Sequence, residues 1–292
     1  MSRPFSAVSA LFLALFSVPT LAMPFTVDGD LSDWGIAVAD GTAASPVGTN
    51  YSGLRTDLAG YHEEDTNDRS NSYYLGPNYG GQNYDGEFFG AAVQGSTLYL
   101  GILTGQRPDN GFDSSGRGLF SPGDIRIETS LGVFAIEVGG GAVGNAGAAI
   151  TEGAAGTTYQ VNSHGYTTGS VTTDPLQVAG SIWSNVDWIL DPIAPSQPVQ
   201  FEINGGSTQV GTADYIYTRN SVTNQHSIIE LAFDMGAFGG ASITDFYWLP
   251  SCGNDELHIN TDITTVPEPA SMALLALGLV GMGMGRRRKT AR

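Results

Sequence analysis

The sequence predicts an all-β chain, an antiparallel β-sandwich of jelly-roll type, and three observations carry that reading. Of 292 residues 40 are glycine, and charged residues make up only 14%. Glycine at this density supplies turns, while the Thr, Val, Tyr and Phe between them suit a pleated, half-buried surface. Apolar and polar residues alternate over short runs bounded by turn signals, and between the termini no run keeps a 3.6-residue apolar period for long. Short strands at such spacing pack as two facing sheets.

The chain reads as three parts. Residues 1–22 form a secretory signal peptide: Arg3 gives the basic start, 7–18 the apolar core, Pro19 the break and Thr20-Leu21-Ala22 the cleavage site. Residues 23–264 are the sandwich domain, and 265–292 are a tail of different character. In the tail Pro267-Glu268-Pro269 precedes an apolar run over 270–285, and Arg286-Arg287-Arg288-Lys289 follows. That run of 16 residues is shorter than the ~20 of a full bilayer span. It reads as a short transmembrane helix that the prolines keep from extending backwards. The basic cluster stays on the cytoplasmic side, so the bulk of the chain lies outside.

Three features in this order at a C-terminus resemble the PEP-CTERM sorting signal of Gram-negative bacteria that make exopolysaccharide. The resemblance implies that Pro267, Glu268 and Pro269 are read by an exosortase, a membrane transpeptidase-like enzyme. It further implies transient residence in the inner membrane, then delivery to the cell surface, outer membrane or extracellular matrix.

Within the domain the elements follow one another plainly. Residues 87–93 and 97–104 form a hairpin across Gln94-Gly95-Ser96, with Leu98, Leu100 and Ile102 on one face. Pro122-Gly123 turns into a strand whose Ile125 and Ile127 alternate with Asp124, Arg126 and Glu128, and 133–138 pairs with it. Further strands are predicted at 199–203, 214–218, 227–234 and 243–249. Residues 61–84 read as a long insertion, 139–156 as a Gly/Ala-rich loop and 260–265 as a linker to the tail.

Charge narrows the partners. Between residues 23 and 264 six arginines face 28 acidic residues, a net charge of −22. Such a surface repels nucleic acid and anionic lipid and attracts divalent cations. Cys252 is the single cysteine, so no intramolecular disulfide forms; a buried structural thiol and an exposed, dimer-forming one are the two readings.

The head, Phe25-Thr26-Val27-Asp28-Gly29-Asp30-Leu31-Ser32-Asp33-Trp34, resembles the opening of family 9 carbohydrate-binding modules and related sandwich domains. Leu98-Tyr99-Leu100 and Gly123-Asp124-Ile125 follow in an order that such domains share. The resemblance implies a jelly roll that binds sugar and holds structural calcium.

Asp28, Asp30 and Asp33 place three carboxylates within six residues, a candidate calcium loop. The competing reading is turn chemistry, with Asp33 capping a short helix that carries Trp34. Tyr73, Tyr74, Tyr79 and Tyr84 alternate with amides and glycines, a composition suited to stacking on sugar rings; packing down on a sheet is the alternative. Trp183 and Trp188 offer a second platform, or core. Gly139-Gly140-Gly141-Ala142-Val143-Gly144 matches a dinucleotide fingerprint only formally, with no βαβ context. His62-Glu63-Glu64-Asp65 lacks the second histidine of a zincin, and no Gly-x-Ser-x-Gly elbow occurs. No catalytic constellation stands out, and the reading is a non-enzymatic exported protein that associates with polysaccharide. A secreted polysaccharide hydrolase and a purely structural, calcium-dependent matrix component are the alternatives.

Overall fold

The computed structural model describes residues 23–38, 49–63, 86–105, 123–138, 158–161, 167–171, 178–190, 198–218, 226–250 and 255–264. Among them no α-helix forms; two 3₁₀ helices, Leu31–Trp34 and Met235–Phe238, interrupt the strands. The strands are β1 (Leu58–Glu63), β2 (Gly86–Gln94), β3 (Thr97–Thr104), β4 (Ile125–Thr129), β5 (Gly132–Ile136), β6 (Thr158–Val161) and β7 (Thr167–Val171). They continue as β8 (Ser181–Ser184), β9 (Asp187–Leu190), β10 (Pro198–Glu202), β11 (Thr208–Thr212), β12 (Asp214–Tyr217), β13 (Ser227–Asp234), β14 (Ile243–Trp248) and β15 (Leu257–Ile263). One sheet has the order β1-β2-β3-β13-β12 and the other β11-β8-β5-β4-β14-β15, with β9–β10 and β6–β7 as separate ribbons. Every pairing is antiparallel.

The expected alternation drives this packing. Leu98, Leu100 and Ile102 of β3 meet Ile229, Leu231 and Phe233 of β13 on the inner face, opposite Ile125, Ile127, Phe134 and Phe246 of the second sheet. Phe89 packs edge-on to Phe246 across the interface, with ring centres 6.3 Å apart. The two-residue turn between β2 and β3 needs a positive φ, and Gly95 provides it at 62°. Both edges of the sandwich are closed. At one, a side chain on Gly60 would meet Ile259 at 2.5 Å, so glycine lets β1 approach β15. There Thr261 Oγ1 donates to the Ala59 carbonyl at 2.9 Å. At the other edge β11 passes into β12 with Ala213 alone between them, so one extended strand serves both sheets.

The hairpins were legible, but two boundaries and several strands differ from the sequence reading. Asn260–Ile263, expected as linker, belongs to β15, because Leu257, Ile259 and Ile263 bury on alternate positions. The first three residues of the expected 61–84 insertion end β1. Strands β6, β7, β8, β9 and β11 fall where the sequence reading placed none. The signal peptide, the apolar run of the tail, Cys252 and all of 139–156 lie outside the described residues. Among those described, no helix is long and apolar enough to cross a membrane.

Candidate functional site

The connections are unequal at the two ends of the sandwich. Short turns join β2 to β3, β4 to β5 and β8 to β9 at one end. The connections through 64–85, 106–122, 219–225 and 251–254 leave and enter at the other, where Gly86 pairs with Thr104, Thr104 with Ser227, and Gly86 donates to Asp255. Long loops carried on one end of a rigid sandwich are the usual seat of binding. Tyr73, Tyr74, Tyr79 and Tyr84 lie outside the described residues, yet Glu63 and Gly86 set their connection at this end.

Buried polar groups gather at the same end: Thr104, Asp124, Glu137, Gln200, His226, Ser227 and Asp255. His226 Nε2 contacts Glu87 Oε1, and Thr49 Oγ1 donates to the other oxygen of Glu87 at 3.0 Å. Asp124 precedes β4 and Glu137 follows β5, so the register sets them opposite each other on one rung. Asp124 accepts from Val138 N at 2.9 Å and Phe201 N at 3.1 Å. Burial outweighs those bonds and pushes Asp124 up to about 7. The β9–β10 ribbon covers this pair, so neither carboxyl opens onto a groove.

The head motif takes a structural role that depends on a residue the sequence reading did not single out. Glu230, buried at mid-strand in β13, accepts from Asp28 N at 3.1 Å and Gly29 N at 2.6 Å through one oxygen. Its other oxygen accepts from Trp34 Nε1 at 3.1 Å. Burial raises Glu230 to about 7 against the pull of these three donors. Trp34 is 1% exposed and lies over Gly90 and Gly101, where a side chain on either would stand 3.0 Å or less from its ring. With Phe25, Leu31, Ile36, Phe88 and Leu103 it forms a second core on the outer face of the five-stranded sheet. The available signal was an acid inside the otherwise apolar run Ser227-Ile228-Ile229-Glu230-Leu231-Ala232-Phe233.

The three aspartates are each engaged in bonds within the turn. Asp28 Oδ1 accepts from Asp30 N at 3.0 Å, and Asp30 Oδ1 caps the 3₁₀ helix through Ser32 N at 2.9 Å. Asp33 Oδ2 accepts from Thr26 N at 2.6 Å. Burial raises the pKa of Asp33, with Asp28 adding a smaller repulsion. Among the described residues no three His, Cys, Asp or Glu side chains are placed to hold a metal. The hydrogen bonds of the cluster are local turn bonds. Asp33 contributes by tying the turn back to Thr26; the helix cap is Asp30.

The tryptophan pair also splits. Trp183 is 4% exposed, donates to Ser181 Oγ at 2.8 Å and packs with Ala135 and Phe201 beneath the β9–β10 ribbon. It presents no open face to a sugar. Trp188 is half-buried, 6.1 Å from the Phe201 ring.

No curated protein and no solved structure matches this chain, so the resemblance of the head to family 9 modules gains no support. Residues 265–289 match the PEP-CTERM protein-sorting motif. The chain thus bears the tail by which an exosortase processes its substrates, and that motif marks it for export across the inner membrane of a Gram-negative bacterium.

Proposed function

We propose that the mature protein is a non-enzymatic β-sandwich that associates with neutral exopolysaccharide outside the inner membrane. The observation that carries the reading is the sorting motif at 265–289, which directs the chain to that compartment. Two features support it. The net charge of −22 between residues 23 and 264 opposes anionic polymers. The tyrosine-rich connection joins β1 to β2 at the loop-bearing end. Asp124 and Glu137, opposed on one rung, are both buried, which counts against that pair serving glycosidase chemistry in an open groove.

Sorting gives the first expected result. Alanines in place of Pro267, Glu268 and Pro269 leave the precursor in the inner membrane; normal release of that variant, seen by cell fractionation, would refute the assignment. Binding gives the second. The wild-type mature protein is retained on a column of its cognate neutral polysaccharide. Truncation of a stacking aromatic commonly costs ~2 kcal/mol, so at least one of Tyr73, Tyr74, Tyr79 and Tyr84 changed to Ala lowers affinity roughly 30-fold without lowering thermal stability. Failure of every neutral polysaccharide to retain the wild type would end the reading.

A further inference from the structure

The head covers only part of the outer face of the five-stranded sheet. Asp28 to Trp34 lies over the rows containing Glu230, Gly101 and Leu103, and leaves the rows towards the short-turn end open. In the next row the register sets half-buried Tyr99, buried Ala232 and exposed Asp214 side by side on three strands. Thr97 and Asp234 form the next row. Adjacent strands stand ~4.8 Å apart, so the Tyr99 and Asp214 backbones are about 10 Å apart with only the Ala232 methyl between them. Phe25 to Val27 walls the third side, and the resulting trough has a volume of about 800 Å³. That is within the ~300–1,000 Å³ of small-ligand sites.

We propose that this trough is a carbohydrate-binding cleft for a short stretch of neutral glycan, a surface separate from the tyrosine-rich connection at the opposite end; the assignment rests on the polysaccharide reading. The lining chemistry selects the class. Tyr99 is half-buried, with its ring 5.7 Å from Phe25, so a fixed aromatic surface remains partly open. The Tyr99 hydroxyl, the Thr97 hydroxyl and the Asp214 carboxylate make no side-chain hydrogen bond among the described residues, and Asp214 is exposed. They are available to pair with sugar hydroxyls, the carboxylate being the strong acceptor. Among the described residues no Lys, Arg or His lines the trough, so an anionic glycan meets carboxylates without a counter-charge there. Nor is it a cation site. Asp234 spends its two oxygens on Gly236 N at 2.6 Å and Ser96 Oγ at 3.0 Å, leaving Asp214 as the single unengaged carboxylate among the described lining residues.

The test titrates the mature protein, isotope-labelled at Thr and Tyr, with cellotetraose and maltotetraose, alongside tetragalacturonate and tetraglucosamine. Chemical shifts at Thr97, Tyr99 and Thr212 are expected to move with at least one neutral tetrasaccharide. Asp214→Ala, a change at an exposed residue, and Tyr99→Ala should each weaken that binding roughly tenfold. Movement with the charged oligomers alone would overturn the neutral class. Retention on neutral polysaccharide with no groove shifts, or with Asp214→Ala binding as wild type, would overturn the cleft and leave the function reading standing. No shifts and no retention would overturn both.

Discussion

Trp34→Ala is expected to lower the unfolding free energy by about 3–5 kcal/mol, as large-to-small changes at buried aromatics do. Trp34 is 1% exposed, and its ring fills the space that Gly90 and Gly101 leave open. Its loss opens a cavity that two backbone strands cannot close. It also strands Glu230 Oε1, which has the Trp34 indole as its donor. Glu230→Gln keeps the volume and isolates the polar part of the latch. A carboxylate accepts on both oxygens, whereas the amide offers one acceptor, so either Trp34 or the Asp28–Gly29 pair must face an NH₂ group. The expected cost is about 1–3 kcal/mol. Because both changes release the same head, the double variant should lose less than the sum of the two. Urea midpoints of the mature protein measure all three. A Trp34→Ala loss below about 1 kcal/mol would show that the head is not docked in this way.

Stability is expected to fall as pH rises from about 5 to 8. Asp124 and Glu230 ordinarily titrate at 3.8 and 4.5, and burial raises each to about 7 in the folded protein. Between those values the folded chain holds protons that the unfolded chain has released, so deprotonation favours unfolding. The contribution of each group is fully present below about pH 4 and lost as pH passes about 7. At 1.36 kcal/mol per unit the ceiling is about 4 kcal/mol for Asp124 and about 3 kcal/mol for Glu230. Glu137, opposite Asp124, makes double ionisation on that rung less favourable still. Urea denaturation across this range should show the midpoint declining, and Asp124→Asn or Glu230→Gln should flatten the decline. A midpoint that rises from pH 6 to 8 would contradict the burial of these carboxyls.

Local pattern made much of this fold readable. The β2–β3 and β4–β5 hairpins follow from period-two alternation and from turn residues within a few positions of each strand. The short β8 was not readable as a one-sided strand, because Ile182 buries on the inner face while Trp183 buries on the outer face with Ala135 and Phe201, which leaves no polar alternation. The 28 acidic residues between positions 23 and 264 likewise hid the buried ones, since composition cannot distinguish Glu230 from a solvated glutamate.

By itself the sequence determined the all-β class, the acidic character and the sorting tail, all properties of contiguous residues. The tail is read as a linear signal, so its meaning requires no fold. Only the tertiary structure decided what Asp28 to Trp34 does. Those residues suit an ion loop or a turn equally well until Glu230, 202 residues beyond Asp28, is brought beneath them. The same register places Tyr99, Ala232 and Asp214 in one row. No local pattern announces that juxtaposition, because each residue comes from a different strand and strand pairing follows from burial of the whole inner face.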